Sequence, residues 1–170
     1  VNKYPDLILI QLDAHADLRN SYMGNQNSHA CAMQRCLEVL PEKKILQLGI
    51  RSGTREEFRF MREKNQLVNF FPGGNAQELK KALLHYSNSP IYLTIDLDWF
   101  DPSLLPGTGT PEPGGFFWND FEVILDTLKN FRIVASDIVE LSPEIDNSGV
   151  SSIVAAKVLR SLIMSLENMQ

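Results

Sequence analysis

Residues 7–17 read Leu7-Ile8-Leu9-Ile10-Gln11-Leu12-Asp13-Ala14-His15-Ala16-Asp17. The first six are rich in Leu and Ile and apolar on both faces, the pattern of a short strand buried in a parallel sheet. Two carboxylates and an imidazole follow at alternate positions. In extended backbone, residues i, i+2 and i+4 face the same way. Asp13, His15 and Asp17 are therefore expected to converge just past the carboxyl end of the strand, where open α/β sheets hold ligands. A solvated, turn-forming acidic loop is the plainer reading of this cluster taken alone.

Four more apolar runs repeat the pattern: Lys44–Ile50, Leu67–Phe71, Ile91–Ile95 and Arg132–Val139. Helical segments are predicted between them over Ser28–Leu40, Thr54–Lys64, Asn75–Tyr86 and Trp118–Lys129, with a long closing helix over Ser148–Leu166. Thr54 with Glu57 three residues on spells a capping box. Strands alternating with helices predict an α/β fold, three αβα layers around a mostly parallel sheet, in a single domain spanning 1–170.

The 170 residues carry a net charge of −5 and no basic stripe. That balance argues against nucleic acid and anionic membranes as partners and suits a small cationic ligand. No apolar run approaches the length of a membrane span, about 20 residues. Cys31 and Cys36 form neither a metal-binding pair nor a disulfide framework, which is the usage of a reducing cytoplasm. The chain opens on Val1 without a signal-like segment, and the expectation is that sequence upstream is absent.

A second acidic cluster, Asp96-Leu97-Asp98, ends the run Ile91–Ile95, with Asp101 close behind. Two such clusters at equivalent strand ends make the solvated-loop reading hard to sustain. Together they supply four carboxylates and one imidazole. A mostly oxygen donor set favours harder divalent ions, with Mn²⁺ foremost, and four carboxylates exceed what one ion needs. A thiolate zinc site lacks its cysteines. Glu140, after the last strand, is placed to pair with a planar cation such as a guanidinium, although a lone acid there also reads as a surface group. His29, beside Ser28 at a helix start, is either a structural residue or a proton shuttle near neutral pH. His85 reads as solvated. Between the second cluster and the next helix, residues 101–115 hold four prolines and four glycines, and a loop of that kind on a rigid scaffold often carries function.

These residues resemble the signatures of the ureohydrolases, the arginase and agmatinase family. Asp13-Ala-His-Ala-Asp17 looks like the first metal motif, and Asp96-Leu-Asp98 with Asp101-Pro102 like the second. Gly107–Gly115 (GTGTPEPGG) and Asp137-Ile-Val-Glu140-Leu-Ser-Pro143 are similar to two further stretches. The resemblance implies a dimanganese hydrolase in which Asp13, His15, Asp17, Asp96 and Asp98 are ligands, Asp13 and Asp96 bridging. It implies Glu140 as the guanidinium-binding acid, His29 as the proton shuttle, and attack of a metal-bridging hydroxide on the guanidinium carbon. Arg19 stands where arginases have an asparagine that reads the α-amino acid end, and the wording around it is closer to agmatinases. The expected substrate is agmatine, giving putrescine and urea, with arginine and guanidinobutyrate as alternatives. A homo-oligomer is expected.

The family pattern has a sixth ligand, a histidine in a GGDH-type motif, which this sequence lacks. The five strands correspond to the last five of the family's eight, adjacent in the order 8-7-4-5-6. The resulting expectation is a truncated domain with one strand uncovered, binding Mn²⁺ weakly and releasing little urea by itself. A degenerate, inactive binding module is the alternative.

Overall fold

The computed structural model describes residues 2–41, 44–86 and 88–167, and only the backbone of 166–167. Its strands are β1 (Ile8–Leu12), β2 (Ile45–Leu48), β3 (Leu67–Val68), β4 (Ile91–Asp96) and β5 (Ile133–Val139). Between and after them lie α1 (Ala32–Leu37), α2 (Arg55–Glu63), α3 (Gln77–Leu83), α4 (Trp118–Leu128) and α5 (Val150–Glu167). All pairings are parallel, in the order β3-β2-β1-β4-β5. With the strands renumbered, this is the contiguous order expected from the resemblance.

Alternation along β1 divides the core in two. Ile8, Ile10 and Leu12 point into one cluster with Leu79, Leu83, Phe121, Ile124 and Val158, from α3, α4 and α5. Leu7 and Leu9 join Met33, Leu40 and Met61, on the side of α1 and α2. Helices thus cover both faces, giving the expected three layers. The chain leaves β1 for β2 and β3 on one side and returns to β4 on the other. The carboxyl ends of β1 and β4 therefore form a topological switch point, where a crevice opens.

The sequence overestimates several elements. β3 ends at Val68 because Phe70 leaves the sheet to stack on Phe116 (centroids 5.4 Å apart), which in turn stacks on Trp99 at 4.2 Å. Gly49 makes room for that stack: its φ is +93°, and a Cβ there would lie 2.4 Å from the Trp99 ring. The helix expected from Ser28 opens as a 3₁₀ turn, His29–Cys31, and the Ser28 side chain makes no capping bond. Helix α3 likewise closes in a 3₁₀ turn, Leu84–Tyr86. The capping box is present: Glu57 N–H donates to Thr54 Oγ1 and Thr54 N–H to the Glu57 carboxylate. β5 is less buried than the other strands because it pairs on one side only, with β4.

Candidate metal and substrate site

The register Leu12↔Ile95 brings the ends of β1 and β4 together, so Asp13 and Asp96, the next residues along, are neighbours. Neither acidic cluster is simply extended, however. After Asp96 the chain tightens into the 3₁₀ turn Leu97–Trp99, with the Asp96 carboxylate accepting from Asp98 N–H. Asp17 takes a left-handed conformation, φ 51°, which is uncommon for a residue other than glycine. Asp98 and Asp17 thus reach the crevice through turns and not through strand alternation.

Asp13, His15 and Asp98 each offer a ligand atom, all within 4.8 Å of one another. A crevice with a water-accessible volume of about 200 Å³ is lined by these three and by Asp17, Asp96, Arg19, His29 and Glu140. Residues singled out from separate stretches of sequence thus face one cavity. His29 sits at the rim, exposed, with its ring edge-on to Tyr22. Glu140 has φ 66° and lies against Gly109 of the glycine-rich loop, whose Cβ would be 3.8 Å from a Glu140 oxygen. The Arg19 guanidinium lies over the Tyr22 ring, 4.9 Å from its centroid.

The electrostatics show strain that a cation would relieve. Burial, reinforced by neighbouring carboxylates, pushes Asp17 up to about 8 and Asp96 up to about 10. Burial raises Asp13 to about 6. His15 is raised to about 10 by the carboxylates of Asp13 and Asp98, the latter 2.9 Å from Nδ1. Burial is the largest influence on Asp98 and pushes it up, but the hydrogen bond and charge of His15, with the Ala14 amide and Asp96, together outweigh it and hold Asp98 below the ordinary range. Three carboxyls that cannot comfortably ionise side by side, with an imidazole among them, are the donor set that a divalent ion completes.

Several residues that support the site were not legible as such in the sequence. Gln11 donates to Asp13 at 2.6 Å, and Gln47 donates to Gln11 and to the Ala16 carbonyl. Each of these buried amides interrupts an apolar run, and that interruption is the one signal the sequence carries for them. Arg51, just past β2, donates to the carbonyls of Asp98 (2.7 Å) and Glu112 (2.8 Å), with longer contacts to Gly49, Trp99 and Phe100. Thr110 donates to Asp98, and Glu112 lies 3.8 Å from His15 Nε2. Asp101 accepts from Ser103, Gly114 and Gly115 and so braces the loop.

The arginase family model matches residues 1–165. A Bacillus cereus agmatinase is 35 % identical over 164 residues, covering 95 % of this chain and 56 % of that protein. An N(1)-aminopropylagmatine ureohydrolase of Thermococcus kodakarensis is 39 % identical over 155 residues, with 88 % and 51 % covered. The crystal structure of agmatine ureohydrolase of Thermoplasma volcanium superposes with a TM-score of 0.76 at 38 % identity, covering 96 % of this chain and 56 % of that one. The chain spans about half the length of the curated relatives it matches.

Proposed function

The chain belongs to the arginase family, and on that premise we propose that it is the metal-binding part of a ureohydrolase domain that releases urea from a guanidino compound, agmatine first among them. The observation that carries this reading is the single crevice lined by Asp13, His15, Asp17, Asp96, Asp98, His29 and Glu140. The names of the relatives support the guanidino class.

In this reading Asp13, His15, Asp17, Asp96 and Asp98 would hold two Mn²⁺ ions, which would supply the positive charge that lets water act as a nucleophile near neutral pH. Glu140 pairs with the planar fork of the guanidinium and turns its carbon toward the acidic cluster. Water adds to that carbon, the bond from carbon to the alkyl nitrogen breaks, and both protons of the water end on the departing amine, the second of them delivered as it leaves. His29, at the rim, carries that proton. Agmatine and water become urea and putrescine, with charge conserved. A soluble homo-oligomer in the cytoplasm completes the proposal; among the described residues no helix is long and apolar enough to cross a membrane.

One observation favours a second substrate. Arg19 lines the crevice and has no carboxylate partner among the described residues. A positive charge there attracts an anionic tail, which makes 4-guanidinobutyrate the runner-up. The test is urea release by the protein expressed from its complete reading frame, with Mn²⁺ or chelator, on agmatine, 4-guanidinobutyrate and arginine. Metal-dependent release, greatest from agmatine, is expected. No urea from any of the three would sink the reading, and a preference for guanidinobutyrate would replace the substrate.

A further inference from the structure

Glu57 is a buried carboxylate with no cation beside it among the described residues, and it serves two segments at once. One oxygen accepts from Thr54 N–H at 2.7 Å and closes the capping box of α2. The other accepts from Leu18 N–H at 3.0 Å, across 39 residues of sequence. Capping α2 accounts for the first bond only. The second lands on the residue directly after Asp17, whose backbone is held at φ 51°. A non-glycine residue stays in that conformation only when its surroundings over-determine it.

The other constraints on this turn lie to either side of Asp17. Gln47 donates to the Ala16 carbonyl, Arg19 N–H donates to the Ala30 carbonyl, and Gln34 N–H donates to the carbonyl of Asp17 itself. Of these contacts, only the one from Glu57 brings a charged group to the peptide that leaves Asp17. Glu57 also lines the same crevice as Asp17.

We propose that Glu57 is a positioning residue for Asp17: its carboxylate, shared between the Leu18 and Thr54 amides, fixes the left-handed turn that presents the Asp17 carboxylate to the acidic cluster. This rests on the reading of Asp17 as a metal ligand. The sequence fits both duties, since a glutamate at the third position of α2 caps the helix with one oxygen and reaches the turn after β1 with the other. Glutamine keeps the size but replaces one acceptor with a donor that faces an amide, so it can satisfy only one of the two segments.

The test is Mn²⁺ binding, measured by calorimetry and by electron paramagnetic resonance, on the protein expressed from its complete reading frame. Glu57→Gln is expected to weaken the ion that depends on Asp17 by about 10- to 100-fold, the usual effect of losing a residue that orients a ligand. Asp17→Asn should weaken the same ion, and the double variant should lose no more than Asp17→Asn alone, because Glu57 acts through Asp17. Thr54→Ala, which removes the cap without touching Leu18, should lower thermal stability and leave Mn²⁺ affinity unchanged. Should Glu57→Gln fail to fold, Glu57→Asp, one methylene too short to span both amides, takes its place. Unchanged Mn²⁺ affinity in the Glu57 variants would overturn the proposal, as would fully additive losses in the double variant. A wild-type protein that binds no Mn²⁺ would instead overturn the reading of the metal site.

Discussion

Replacing Arg51 with methionine should loosen three parts of the site together. The guanidinium joins the end of β2, the turn carrying Asp98 and the glycine-rich loop through five backbone carbonyls. Two of its bonds are short, 2.7 Å to Asp98 and 2.8 Å to Glu112. A hydrogen bond involving a charged group contributes roughly 1.5–3 kcal/mol net, so these two set a range of about 3–6 kcal/mol. Arg51 is only half-buried, and water can reach some of the released carbonyls, which reduces the expected loss to about 2–4 kcal/mol. For a chain of this size each kcal/mol moves Tm by about 2–4 °C, so Arg51→Met should lower it by about 4–16 °C. Thermal unfolding followed by circular dichroism measures this directly. Arg51→Lys keeps the charge but concentrates it on one nitrogen and should recover only part of the loss. Mn²⁺ affinity should fall as well, because the Asp98 backbone lies under the guanidinium. A Tm for Arg51→Met within about 2 °C of wild type would refute the idea that this side chain ties the loops together.

Gly49→Ala should destabilise the protein by about 2–4 kcal/mol, combining a left-handed conformation unsuited to alanine with a Cβ driven into the Trp99 ring; chemical denaturation would show otherwise if the midpoint did not move. The metal-free protein should lose stability as pH rises from about 5 to 9. Asp13, Asp17 and Asp96 have folded pKa values above the unfolded one, so the folded state holds protons that the unfolded state has already released. His15 acts in the same direction, since a raised histidine stabilises below its unfolded pKa and ceases to do so as pH climbs through about 10. Adding Mn²⁺ at pH 8 should restore the loss; a flat Tm from pH 5 to 9 without metal would contradict the crowding. Asp146 accepts from Ser148 and from Ser151 N–H at the start of α5, which holds its pKa well below the ordinary value. The stability it contributes is present above pH about 4 and is lost as acid protonates it. Asp146→Asn should remove that part of the acid transition, and an unchanged acid limb in the variant would argue against it.

Much of the architecture could be read from local pattern. Apolar runs at β1, β2 and β4 alternating with amphipathic segments predict parallel strands covered on both faces, because only burial on both sides suits such runs. Element boundaries are less legible in local pattern. Phe70 is as apolar as its neighbours, and only the Trp99–Phe116 stack explains why it leaves the sheet. The ends of Ser28–Leu40 and Asn75–Tyr86 tighten into 3₁₀ turns without a composition signal.

Local pattern alone places the chemistry-bearing residues relative to strand ends, since continuous apolar runs and the acids after them are local facts. It could not determine how those residues meet. Asp98 lies 84 positions from Ala14, whose N–H donates to it, and their contact depends on β1 and β4 pairing at the switch point. The expected facing of Asp13, His15 and Asp17 by strand alternation gave way to a left-handed turn at Asp17, set by contacts with Glu57, Gln34 and Gln47 from other segments. Tertiary structure likewise turned two interrupting glutamines into a brace for Asp13, and an arginine after β2 into the tie between the Asp98 turn and the glycine-rich loop. Local sequence encodes propensity and pattern, whereas a buried polar group is defined by its partners, and those arrive from elsewhere in the chain.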